Sequence, residues 1–145
     1  MEFIEFLDRK EIEIIRMVEK AGYKTSENTK LCLLSENYAG FLDRKRKEII
    51  ICTNNAKKRE RYSLLRKEYS DILIRTGIHI KRALRHEAVH VAQECNDGNL
   101  LRIDKKLSMN PSKIKALNGS VRISSEKEKE RQAYMLEDKP RLIKN

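Results

Sequence analysis

The sequence predicts an α+β fold, and three observations carry that reading. Apolar residues recur at helical spacing in the first twenty residues and again over residues 78–94. Between them, two short apolar runs, residues 38–42 and 48–53, are joined by the polar string DRKRK, the pattern of a β-hairpin. The chain of 145 residues, 39% hydrophobic and 37% charged, is long enough for one modest, thinly filled core, so a single domain over 1–145 is expected.

The elements follow in order. Ile4, Leu7, Ile14, Ile15 and Val18 recur with charged residues between them, which predicts an amphipathic helix over 3–21 stopped by Gly22. Residues 30–35 (KLCLLS) read as a short strand. The hairpin follows, making a small antiparallel sheet; its EIIIC run is rich in β-branched residues and suits a strand covered on both faces. Asn54 and Asn55 are expected to end that strand and cap a charged helix over 56–69, with Tyr62, Leu65 and Tyr69 as its apolar stripe. Thr76-Gly77 punctuates the chain before the strongest helical pattern, 78–94, which Asn96-Asp97-Gly98 ends. Residues 100–125 are poorly patterned, with a short helix expected at Asn110-Pro111. Ser124 or Ser125 can cap a last helix from about Glu126 to Glu137.

Composition excludes some classes and suggests others. The longest purely apolar run, residues 49–52, is far too short to cross a membrane, and the acidic start MEFIEFLDRK does not read as a secretory signal. Cys32, Cys52 and Cys95 are odd in number, widely spaced and without a CxxC pair. They are expected to be reduced, buried thiols in a cytoplasmic chain, or in a virion-associated one if phage-encoded. Net charge is +10. From Asp43 to Lys67 ten basic residues face three acidic ones, which places most of the excess in one stretch. That region, Arg44 to Lys67, is a candidate surface for a polyanion or an assembly partner, although only Tyr62 and Tyr69 offer stacking groups.

The chemistry sits in RHEAVHVAQ, residues 85–93. His86 and His90 are four apart, so on a helix they lie one above the other and can bind one metal ion by two edges of a tetrahedron. Glu87 directly follows the first histidine and is placed to take a proton from a metal-activated water. A zinc site needs a third protein ligand. No histidine follows His90, and His79 is two turns away along the helix, so the third ligand is a carboxylate of the last helix, with Cys95 as the weaker alternative.

Here the sequence resembles the gluzincin-type zincin metallopeptidases, in which an HExxH helix is followed by a second helix whose glutamate completes the site. Glu130-Arg131-Gln132-Ala133 matches the ExxA form, and HEAVHVAQ is similar to small single-domain zincin-like proteins of bacteria and phages. The resemblance spans about residues 78–138 and implies a minimal zincin-like fold. It makes His86, His90 and Glu130 the ligands of one Zn2+ per chain, with Glu128 as the alternative to Glu130. Glu126 and Glu137 share the face of Glu130 and are candidate partners for the histidines. Where the ExxxD form carries an acid, this chain has Tyr134, which with His79 is a candidate oxyanion donor. The implied function is a zinc metallopeptidase acting on peptides or proteins, with Glu87 as general base. The alternative is a basic assembly component, phage- or nucleic-acid-associated, with a structural or degenerate site.

Overall fold

The first helix is broken where the sequence suggests continuity. In the structure, a computed structural model that describes residues 1–62, 69–97 and 127–138, a 3-10 turn over Glu2–Phe6 ends at an extended Leu7, and α1 (Arg9–Lys20) starts afresh from Asp8. The break has a physical cause. The carboxylate of Glu27 accepts the N–H groups of Glu2 (3.0 Å) and Phe3 (2.7 Å) and the hydroxyl of Thr53 (2.6 Å). That clamp seats the Phe3 ring fully in the core. α1 then ends as expected at Gly22, whose φ of +89° only glycine adopts freely. The N–H of Tyr23 reaches the carbonyl of Val18 and that of Gly22 the carbonyl of Glu19, a Schellman closure.

The first strand lies earlier than the sequence suggests. It is β1 (Lys24–Glu27), ended by Asn28 in a left-handed conformation, whereas residues 30–33 form a 3-10 turn. The apolar run there does not alternate between faces: Cys32 is buried, while Leu33 and Leu34 are exposed. The hairpin is present as β2 (Gly40–Asp43) and β3 (Glu48–Ile51), paired antiparallel with Gly40 opposite Ile51. β3 is also the central strand, and β1 pairs with it in parallel, so the sheet is mixed, in the order β1-β3-β2. Both faces of β3 are covered, as its composition predicts. Ile49 and Ile51 enter the main core, and Ile50 packs with Cys32 and Cys52 on the other side.

The expectation of reduced, buried thiols fails: two of the three cysteines are bonded and the third is not buried. Cys32 and Cys52 form a disulfide, and Cys95 is free and exposed. Sequence spacing does not show this, because the run KLCLLS has the composition of a strand, whereas a 3-10 turn carries Cys32 back to the end of β3. Next to it, the amide of the buried Asn55 donates to the carbonyls of Cys32, Ser35 and Tyr38, which ties down the segment leading into β2. Asn55 therefore serves inside a helix. α2 (Thr53–Tyr62) starts three residues before the expected Ala56, and Asn28 caps it by accepting the N–H of Asn54.

α3 (Tyr69–Cys95) runs straight through Thr76-Gly77, which does not interrupt it. A Cβ on Gly77 would stand 3.3 Å from the Phe6 ring, so this glycine allows the N-terminal turn to pack on the helix. A second glycine does similar work on β2. A Cβ on Gly40 would meet Ala83 at 3.1 Å and the Ile50 carbonyl at 3.3 Å, so β2 lies unusually close to α3. α4 (Lys127–Leu136) packs on α3 through Ala133 and Leu136, both fully buried. The main core is thus gathered around α3, from Ile14, Ile15 and Val18 of α1, Ile49 and Ile51 of β3, and Ile80, Leu84, Ala88 and Val91 of α3 itself. Among the described residues no helix is long and apolar enough to cross a membrane. The helix expected at Asn110-Pro111, the caps at Ser124 and Ser125, and Leu65 lie outside the described residues.

Thiol titration of the denatured protein, purified without reductant, should find one free thiol per chain, that of Cys95. Three would show that Cys32 and Cys52 are not bonded.

Candidate metal centre

α3 presents His86 and His90 one turn apart on the face that meets α4, with ring centroids 5.1 Å apart. Both side chains are buried, as are Glu87, Gln93, Glu130 and Glu137. Six polar side chains out of water in so small a core must satisfy one another, because each unpaired one is costly. The small Ala133 lets α4 approach closely enough for Glu130 to reach both imidazoles. Its Oε2 lies 3.2 Å from Nε2 of His86, and its Oε1 lies 2.9 Å from Nε2 of His90. The outer nitrogens have partners too. Glu137 Oε2 stands 3.3 Å from His86 Nδ1, and Gln93 Oε1 stands 2.9 Å from His90 Nδ1.

The inward-facing atoms fit a metal ion. One ligand atom each from His86, His90 and Glu130 lie within 4.8 Å of one another. Ligands held about 2.0–2.2 Å from a tetrahedral ion sit roughly 3.3 Å apart, close to the separations seen here. Moreover, His90 Nε2 is buried and makes no hydrogen bond, although Glu130 Oε1 is near. It is close enough to share an ion with that oxygen but is not aligned to share a proton. Two imidazole nitrogens and a carboxylate oxygen form a donor set that suits zinc.

The electrostatics describe the metal-free state. Burial pushes His86 down, but its hydrogen bonds to Glu130 and Glu137, with the charges of Glu87 and Glu130, outweigh that and hold its pKa up at about 10. Burial pushes Glu130 up, yet the two histidines pull it well below the usual carboxylate range. Burial raises Glu87, against the pull of His86 and His90 and with the push of Glu130. Its Cγ would stand 3.6 Å from a Cβ on Gly40, so Glu87 lies on the β2 side of α3, next to the cluster.

The structure therefore brings together the three residues expected as ligands and sets Glu137 against His86. The ring of Tyr134 packs on that of His86, with centroids 4.3 Å apart at 59°. Glu128, the alternative ligand, is exposed. Cys95 and His79 are outside the cluster of described residues that can hold a metal, and Glu126 is outside the described residues. Gln93 is the residue that sequence reasoning missed. Its signal was its place three residues after His90 on one helix face.

The chain matches the model of a domain of unknown function (DUF8637) over residues 3–145 and belongs to that family. No curated protein and no solved structure matches it.

Elemental analysis and zinc titration should give one ion per chain in the wild type. His86→Ala, His90→Ala and Glu130→Ala should lose it, and Glu128→Ala should keep it. Retention in Glu130→Ala would remove Glu130 from the ligand set.

A second expectation concerns pH. The pKa of His86 in the folded, metal-free protein, about 10, is above its ordinary 6.5. The stability this adds is complete below about 6.5 and is lost as pH rises through about 10. The melting temperature of the metal-free protein should fall over that window. Glu137→Gln, which weakens the pairing, should flatten the fall; an unchanged slope would refute the assignment.

Proposed function

We propose that this protein is a zinc-dependent, metallopeptidase-like hydrolase of minimal zincin-like fold, acting on peptide bonds in peptides or proteins. The observation that carries the reading is the convergence of His86, His90 and Glu130 on one point, with the buried Glu87 beside them on the same helix. His86, His90 and Glu130 would hold the ion. A zinc ion bound there would lower the pKa of its water toward about 7 and polarise a substrate carbonyl. Glu87 accepts the proton of the attacking water and passes it to the departing amine, and the upward pull of burial on its pKa suits a group that must first take and then give a proton. Glu137 and Gln93 hold the outer nitrogens of the two imidazoles. Tyr134, whose ring packs on His86, is the candidate donor to the oxyanion.

The alternative reading, a basic assembly component bound to a polyanion, is favoured by one feature. Arg44, Lys45, Arg46 and Lys47 form an exposed hairpin turn. Even here the charge is partly engaged, because Arg44 Nε donates to Glu94 Oε1 at 2.9 Å. On compartment, the Cys32–Cys52 disulfide weighs against the cytoplasmic reading, since such bonds persist in oxidising surroundings and are rare in the cytosol. A virion-associated location tolerates it.

The deciding experiment incubates zinc-loaded protein with a complex peptide mixture and reads cleavage by mass spectrometry. Wild type should cleave. Glu87→Gln should keep one zinc per chain and lose cleavage by at least about 10²-fold. Undiminished cleavage by the zinc-loaded variant would overturn the mechanism. Absence of cleavage by wild type, with salt-sensitive retention on a polyanion, would favour the assembly reading.

A further inference from the structure

Gln93 is among the most buried polar side chains of the protein, 1% exposed, and it touches both histidine and ligand helix. Its Nε2 donates to the backbone carbonyl of Lys129 (3.1 Å) and to Oε1 of Gln132 (2.9 Å). Its Oε1 faces His90 Nδ1 at 2.9 Å. We propose that Gln93 is a positioning residue that fixes the tautomer of His90 and the register of α4 at once, so that a ring lone pair and the Glu130 carboxylate meet at one point. This rests on the metal-site reading above for its purpose, though not for its geometry.

The orientation of an amide is ambiguous until its partners are considered. Here the Lys129 carbonyl decides it. A backbone carbonyl only accepts, so the amide nitrogen must face it; turning the amide over would set oxygen against oxygen at 3.1 Å. The amide oxygen then has no choice but to face His90 Nδ1, and Nδ1 must carry the proton. In the neutral ring this leaves the lone pair on Nε2, which lies beside Glu130 Oε1. That Nε2 is buried without a hydrogen bond, 2.9 Å from Glu130 Oε1, at a place where a cation would join the two.

The second half of the role is mechanical. Lys129 directly precedes Glu130, so the hydrogen bond to its carbonyl holds the turn of α4 that carries the ligand. A one-residue slip of that helix would rotate Glu130 by about 100° away from α3. Gln132, on the next part of the same turn, adds a second point of attachment.

Substitutions separate the two roles. Gln93→Leu removes both the acceptor for His90 and the donor to Lys129. Gln93→Glu keeps an acceptor for Nδ1 but has no donor for the Lys129 carbonyl. Nitrogen-15 NMR of the full-length, metal-free protein, recorded at a pH where the His90 ring is neutral, should show its proton on Nδ1 in wild type and in Gln93→Glu, and a mixture of tautomers in Gln93→Leu. Zinc affinity should drop about 10–100-fold in Gln93→Leu, and by less in Gln93→Glu. A role confined to packing would lower the melting temperature of both variants and leave the tautomer alone. A wild-type His90 protonated on Nε2 overturns the proposal, even if zinc binds. So does a folded Gln93→Leu with unchanged tautomer and zinc affinity. Wild-type His90 protonated on Nδ1 in a protein that takes up no zinc would uphold the tautomer lock and overturn the metal reading instead.

Discussion

One carboxylate between two imidazoles is the interaction on which the rest of the structure depends. Glu130 crosses from α4 to His86 and His90 of α3, and around this bridge a core with little apolar material encloses six polar side chains. Such a group is tolerated only when every charge has a partner, and removing one leaves the others exposed to a low dielectric. The helices must therefore meet at a fixed distance and register. Ala133 keeps the distance short, and Leu136 seals the end of the contact with apolar surface. The pairing of α3 with α4 thus joins this bridge to the burial of Ala133 and Leu136.

The far side of α3 is fixed by contacts that have no chemistry of their own. Phe6 rests on Gly77, and β2 rests on Ala83 and Glu87 across the bare Cα of Gly40. Behind these, the Glu27 carboxylate holds the N-terminal turn, and Asn55 with the Cys32–Cys52 disulfide holds the segment that delivers β2. Lys57 forms an ion pair with Glu2, which closes the same corner. The helix with the histidines is thus gripped from both sides, and a shift of either clamp would be felt at Glu87 on one side or Glu130 on the other. Preorganisation of this kind lets a site hold side chains in place without spending binding energy to arrange them.

How much of this was legible in the sequence follows from what each feature depends on. The HExxH helix and Glu130 could be read because helical spacing alone sets which residues share a face, and the residue types state the chemistry. The hairpin could be read because its two runs and its turn are contiguous. What failed was decided by distant partners. The 3-10 break after Phe6 depends on Glu27, the short turn at residues 30–33 on Asn55 and Cys52, and the continuous helix through Gly77 on the Phe6 ring. A glycine such as Gly77 signals either a stop or a close approach, and only the neighbour tells which. The spacing of Gln93 places it on the face of His90, but its other partners come from a helix 36 and 39 residues on, which spacing does not show.

The two histidines are not equivalent, and their difference bears on how the site is charged. His86 stands between two carboxylates, Glu130 and Glu137, and holds its proton up to about 10; the outer partner of His90 is a neutral amide. In the metal-free protein the positive charge set against Glu130 and Glu137 is therefore a proton on His86. A cation that takes its place must displace that proton and bring a larger charge, so uptake is coupled to proton release. Glu87 responds to the same exchange. Its carboxyl is raised by burial and by Glu130, and is pulled down only by the positive charge of its neighbours. Replacing one positive charge by two therefore favours its ionised form. In the proposed mechanism a bound cation would thus favour the form of Glu87 that accepts a proton.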